Sequence, residues 1–208
     1  LLPLDPTAGS INIQAIAVDS DNNLWYSTDG GLWEYQFSSD KEGSPVKHLD
    51  CDEMGINIIS LFVDAYRGIW IGTFGQGIFL YDPVLKNVRR YQEEDGLAND
   101  NILSIAGNDT HIWLATLGGV SKTSLEKVHF DGSGNDLFVN YHNQHGLGTD
   151  YIYQSFIDSR GRVWFATDGR GLTVLDQGVF TNYPGEDMDS NGIFYSITEV
   201  EVQSMWVS

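Results

Sequence analysis

The chain has 208 residues, 41% apolar and 19% charged, with 29 acidic against 11 basic side chains for a net charge of −18. That composition supports one globular domain with a core and excludes an extended disordered segment. The acidic excess excludes a nucleic-acid partner, which needs basic patches to neutralise phosphate, and disfavours an anionic membrane surface.

The chain opens on Leu1 rather than Met, without the pattern of a signal peptide, and is expected to be a piece of a longer protein. The opening LLPLD matches a later VKHLD and reads as the outer strand of a preceding unit. IQAIAVD (13–19) then alternates as a half-buried strand, the polar turn SDNN follows, and LWYST (24–28) forms a second strand. A DGG turn leads to LWEYQF (32–37), and VKHL (46–49) completes a four-strand unit. Its longest apolar run, near Ile58–Val63, belongs to the next unit and is far short of the roughly 20 residues that span a bilayer.

The same order recurs. IISLFVD, IWIGT, IFLYD and VRRYQ make the second copy, ILSIAGN, IWLAT, VSKTS and FVNYH the third, and YQSFID, VWFAT, LTVLD and FTNYP the fourth. A fifth begins with FYSITEV and stops at MWVS. Trp25, Trp70, Trp113, Trp164 and Trp206 mark these copies, at spacings of 45, 43, 51 and 42 residues, and Trp33 stands outside the series. Two positions after the first four of these tryptophans stands Ser27, Gly72, Ala115 or Ala166; such a small residue would leave room for the indole of a neighbouring unit. Gly75 and Gly77 are expected at positive φ in a turn. No segment shows a helical period.

Four antiparallel strands every 42 to 51 residues predict an all-β fold, a β-propeller with about four complete blades and part of a fifth. The blades fall at about 11–50, 56–92, 101–142 and 151–184, with a partial one at 193–208, and the chain is expected to be a fragment of a larger propeller.

The motif resembles the two-component regulator propeller repeat of periplasmic sensor regions in bacterial hybrid histidine kinases. The resemblance rests on LFVDAYRGIWIGTFGQGIFLYDP and SFIDSRGRVWFATDGRGLTVLD, and on the linkers EEDGLANDNILSI and HNQHGLGTDYIYQSF, where His145 replaces the Asp of a DGL motif. It implies a periplasmic ligand-binding sensor whose parent is anchored in the membrane outside this segment and signals to a kinase through dimerisation, so a homodimer is a candidate state. The ligand it suggests is a small molecule such as a carbohydrate.

Ligands gather where long loops meet, and the long loops here are the interblade linkers, which share a face with the turns between second and third strands. That face collects Asp52, Glu53, Glu93, Glu94, Asp95, Asp100, His142, His145, Asp150, Glu186, Asp187 and Asp189. The shorter turns add Asp29, Phe74, Gln76, Asp168 and Arg170, with Arg170 the natural anchor for a carboxylate or a sugar hydroxyl. Phe74, Tyr151 and Tyr153 would suit stacking on sugar faces, although Tyr153 suits core packing better.

His142 and His145, near Asp150, lack a third zinc ligand and read as surface residues; DSDNN (19–23) reads as an Asx-type turn rather than a calcium loop. The lone Cys51 allows neither an internal disulfide nor a cysteine zinc site. No motif points to a metal, a cofactor or a catalytic nucleophile. The alternatives to a sensor are a propeller lyase or hydrolase acting on glycans, using Glu93 or Glu94 with His142 or His145, and a protein-interaction scaffold.

Overall fold

The structure is a computed structural model that describes residues 12–37, 43–131, 136–184, 192–201 and 204–208, without the side chains of Asp52, Glu53, Asp131 and Glu201. The LLPLD strand expected at the N-terminus and the acidic residues Glu186, Asp187 and Asp189 lie outside the described residues.

Four antiparallel sheets follow one another along the chain. The first holds β1 (Ile13–Val18), β2 (Leu24–Thr28), β3 (Gly31–Tyr35) and β4 (Pro45–Leu49). The second holds β5 (Ile58–Val63), β6 (Ile69–Thr73), β7 (Ile78–Asp82) and β8 (Asn87–Tyr91). The third holds β9 (Ile102–Gly107), β10 (His111–Thr116), β11 (Gly119–Ser124) and β12 (Phe138–Tyr141). The fourth holds β13 (Ile152–Ile157), β14 (Val163–Thr167), β15 (Leu172–Asp176) and β16 (Val179–Tyr183), and β17 (Ile197–Glu201) pairs with β18 (Ser204–Val207) as a fifth, two-stranded sheet. Each sheet is a meander, and β1, β5, β9, β13 and β17 contact one another in succession as the innermost strands. This is the expected β-propeller architecture.

Short helical turns lie in the linkers: one turn at Cys51–Met54, 3-10 turns at Glu93–Asp95 and Asn143–His145, and a π turn at Lys127–Asp131. None is long enough to show a period in the sequence. Among the described residues no helix is long and apolar enough to cross a membrane.

The core is a series of apolar layers between consecutive sheets. Trp25 packs with Ile58, Leu61, Ile69 and Ile71, and Trp70 with Ile105, Ile112 and Leu114. Trp113 packs with Ile152, Val163 and Phe165, and Trp164 with Ile197. Each indole thus lies under the following sheet.

The small residue two positions on has a different role from the one expected. A Cβ on Gly72 would stand 2.9 Å from the Ile102 carbonyl oxygen and 2.1 Å from Ser60 Oγ. What it admits is the innermost strand of the next sheet, not an indole, and Ser60 Oγ donates to that same carbonyl at 3.2 Å.

The turns after the first strand repeat a hydrogen-bonded carboxylate, buried at Asp64 and Asp158 and half-buried at Asp19. Asp64 Oδ1 accepts the amides of Tyr66 (2.8 Å) and Gly68 (2.9 Å), and its Oδ2 accepts Trp70 Nε1 at 2.7 Å. Asp19 does the same for Asp21, Asn23 and Trp25, and Asp158 for Arg160, Arg162 and Trp164. At the other end of the second strand, Thr73, Thr116 and Thr167 donate Oγ1 to the carbonyls of Gly77, Gly119 and Gly171 at 2.7, 2.8 and 2.7 Å. Gly75 and Gly77 sit at φ 81° and 76°, as expected.

Candidate functional site

The linkers and the turns between second and third strands do share one face. Gly77 N donates to the Asp100 carbonyl (2.8 Å), Gly119 N to that of Asp150 (2.7 Å), and Asp168 N to that of Tyr151 (3.0 Å).

Two linkers have the same internal geometry. In the first, Asp95 Oδ2 accepts the Gln92 amide at 2.9 Å and Asp100 Oδ1 accepts the Glu93 amide at 2.9 Å. In the second, His145 Nδ1 accepts the His142 amide at 3.0 Å and Asp150 Oδ1 accepts the Asn143 amide at 2.6 Å. His145 therefore stands in for a carboxylate as a cap, with its remaining proton on Nε2. Leu97 and Leu147 plug the layers beneath, while Asn140 and Asn182 donate to the carbonyls of Gly96 (2.8 Å) and Gly146 (3.0 Å). Glu93 Oε1 accepts Asn99 Nδ2 (3.0 Å) and the Asp100 amide (3.1 Å), and Glu94 is exposed. Asp95, Asp100, His145 and Asp150 thus hold loop shape. Among the described residues no group of three or more His, Cys, Asp or Glu is arranged to hold a metal ion.

The other candidates are positioned by a recurring β-bulge. In each of the first four sheets the innermost strand slips register near the loop face, pairing Ile13 with Thr28 and then Ala15 with Ser27, and equivalently further on. The residue skipped is Gln14, Ile59, Leu103 or Tyr153. A bulge re-aims its side chain and is common beside binding sites. The residue after the paired Thr is Asp29, Phe74, Leu117 or Asp168, so each sheet sets one bulge residue near one turn residue. In the first sheet Gln14 Nε2 donates to Asp29 Oδ1 at 2.6 Å.

The fourth sheet has the most distinctive version. The Tyr153 ring lies 4.9 Å from that of Tyr195, tilted by 46°. Burial, then the Asp168 charge, then Tyr195 push the Tyr153 hydroxyl pKa up. Tyr195 is anchored by its amide on the Ser208 carbonyl at 2.7 Å, and Phe194 N reaches the Thr167 carbonyl at 3.3 Å. The structure therefore brings together Tyr151, Tyr153, Asp168 and Tyr195, with exposed Arg170 in the same turn.

Arg170 makes no ion pair with another described residue. Phe74 is exposed on the second sheet, and Gln76 Nε2 bonds the Gly55 carbonyl. Among the described residues no hydrogen bond, ion pair or ring contact links Asp29, Phe74, Gln76, His142 or His145 to the Tyr153 cluster. Sequence reasoning missed Tyr195, which strand register makes the counterpart of Tyr153: Ser196 exchanges backbone hydrogen bonds with Ser208 where Gln154 pairs with Ala166.

Residues 146–169 match the family model described as the two component regulator propeller. A relative named histidine kinase P4, from Formosa agariphila, is 30% identical over 170 residues, which is 78% of this chain and 12% of that protein. The extracellular domain of a putative hybrid two component system from B. thetaiotaomicron superposes with a TM-score of 0.76 at 18% identity, over 99% of this chain and 29% of that one. Virginiamycin B lyase from Staphylococcus aureus, in a catalytically inactive form with quinupristin, shares the fold with a TM-score of 0.70 at 14% identity, over 98% of this chain and 65% of that one. The chain thus spans about an eighth of the kinase relative and under a third of the extracellular domain. With five tryptophan-marked copies of the strand pattern and a family match centred on the fourth, the chain carries the two-component regulator propeller repeat.

Proposed function

We propose that this propeller is a ligand-sensing module of a periplasmic sensor, one part of a larger ring whose membrane-anchored parent passes ligand binding to a kinase through dimerisation. The observation that carries the reading is the loop-face cluster at the fourth and fifth sheets, where Tyr153 and Tyr195 lie 4.9 Å apart beside Asp168. Aromatic faces beside a carboxylate, with the exposed Arg170 in the same turn and without an ion pair among the described residues, match the apolar face and hydroxyl rim of a sugar. Tyr153 stands on the innermost strand β13, Asp168 and Arg170 in the turn after β14, and Tyr195 just before β17, so a ligand here would touch the fourth and fifth sheets at once.

Calorimetric titration of this chain with a panel of neutral and acidic oligosaccharides tests the proposal. At least one is expected to bind without turnover, with affinity falling about tenfold or more in Tyr195→Ala, the range in which loss of an aromatic anchor falls. Arg170→Ala should weaken the same ligand. Hydrolysis or elimination products in the panel would replace the sensor by an enzyme. Binding unchanged in both variants would remove this cluster from the site.

A further inference from the structure

The third sheet departs from its sisters at one corner. In the other three, a carboxylate receives the tryptophan indole N–H, but here Asn108 occupies that position. Its Oδ1 is taken by the amides of Thr110 and His111, both at 2.9 Å, and Trp113 Nε1 is buried without a hydrogen-bond partner among the described residues.

Positive charge has gathered in the same corner of a chain that carries only 11 Lys and Arg. Lys122 pairs across from Trp113 where the second and fourth sheets place the buried Leu80 and Val174. Its ammonium lies 5.2 Å from the Trp113 ring centre and makes no ion pair with a described residue. The His111 ring is 5.7 Å from the same indole, with Nδ1 engaged by Thr110 Oγ1 at 2.9 Å. The first sheet also places a charged residue there, Glu34, but pairs it with His48 at 3.0 Å. Lys122 is half-buried without a described carboxylate partner, so a site of this kind favours an incoming anion.

A recess of about 180 Å³ opens here, lined by His111, Lys122, Ser124, Lys127, Asp136 and Val139 among others. Two ammonium groups face one carboxylate in that lining. Asp136 pairs with neither lysine through its side chain; Lys127 Nζ reaches only its backbone carbonyl, at 3.5 Å.

We propose that this recess binds a small oxyanion, a carboxylate, sulfate or phosphate, between the ammonium groups of Lys122 and Lys127, with Ser124 Oγ as a further donor and the His111 ring at its edge. The site lies on the outer strands of the third sheet, away from the Tyr153 cluster, and is independent of the sugar reading.

His111 is the built-in reporter. Burial, then Lys122, hold its pKa below the ordinary histidine value, and the other charged or titratable groups lining the recess are Lys127, Asp136 and Tyr141. Titrating the chain with sodium sulfate, inorganic phosphate, glucuronate and uncharged glucose, each at constant ionic strength, is the test, read by NMR of the His111 ring.

At least one anion is expected to give a saturable shift and raise the His111 pKa, and glucose to give neither. Lys122→Met should weaken binding at least tenfold. Because the second and fourth sheets carry the apolar Leu80 and Val174 there, this variant should keep the fold, which the thermal midpoint checks. Lys127→Met should weaken binding without touching the Trp113 layer. Saturation by glucuronate would identify a carboxylate borne on a sugar as a source, and saturation by sulfate or phosphate alone a free ion. No saturable shift with any of the three anions, or binding unchanged in the double variant, would overturn the proposal.

Discussion

Asp158 illustrates what one carboxylate does in this repeat. Burial pushes its pKa up, but the Trp164 indole, the amide and side chain of Arg162 and the amide of Arg160 more than offset that, and hold it below the ordinary value. A depressed carboxyl contributes stability that is present above the unfolded value, about 3.9, and is lost as pH falls through the folded value. Asp158→Asn keeps the shape and removes the charge, so it should cost about 1.5–3 kcal/mol at pH 7, the range for a hydrogen bond to a charged group. The difference from the natural chain should shrink as pH falls below about 4. The reverse change is available at Asn108, where a carboxylate would meet the unpartnered Trp113 Nε1. Asn108→Asp should raise stability at pH 7 by about 1 kcal/mol. Urea unfolding of both variants at pH 7 and pH 3 checks the pair, and a destabilised Asn108→Asp would show that this turn cannot reproduce the sister geometry.

At the scale of the strand, the bulge and the small residue beside it decide how closely two sheets approach. Gly72→Ala should destabilise by about 1–3 kcal/mol through overpacking, even though the third and fourth sheets carry Ala115 and Ala166 at the same place. The obstacle is local: Ser60 Oγ and the Ile102 carbonyl oxygen already fill the space. The first sheet shows the remedy, because there Ala15 pairs with Ser27, the reverse arrangement of Ser60 with Gly72. Adding Ser60→Ala should therefore recover part of the loss, and urea midpoints of the single and double variants measure it; no recovery would leave the Ile102 carbonyl as the whole obstacle. The strands themselves were legible in the sequence because period-two alternation, repeated in five copies, averages out the ambiguity of any single short run. The bulge was not, since its place depends on which residues pair, and pairing lies between strands. For that reason Tyr153 read as a core residue and Tyr195 drew no attention. Glu93, Glu94, Asp95, Asp100, His142, His145 and Asp150 lie in the linkers on the loop face, as expected. That Asp95 and His145 cap the 3-10 turns of their own loops was hidden in hydrogen bonds spanning three to seven positions.

For the molecule as a whole, the informative comparison is among the five repeat tryptophans. Trp25, Trp70, Trp113 and Trp164 are 2, 0, 6 and 8% exposed, whereas Trp206 is 68% exposed. Each of the first four is covered by the following sheet, and no described sheet follows β18. In dilute solution Trp206 should be the tryptophan that acrylamide quenches most readily. Trp206→Phe should remove that component and shift the remaining emission to the blue, with stability changing by less than about 0.5 kcal/mol, as for a surface substitution. Trp70→Phe removes a fully covered indole and should cost about 1–3 kcal/mol. Concentration then gives the second reading. A second copy seated on Trp206 would protect it from the quencher progressively as the protein is concentrated, and the mass from light scattering would rise in step. Protection already complete at the lowest concentration would mean that other parts of this same chain cover the indole. Free quenching at every concentration would leave this face open, with room for the next sheet of a larger ring.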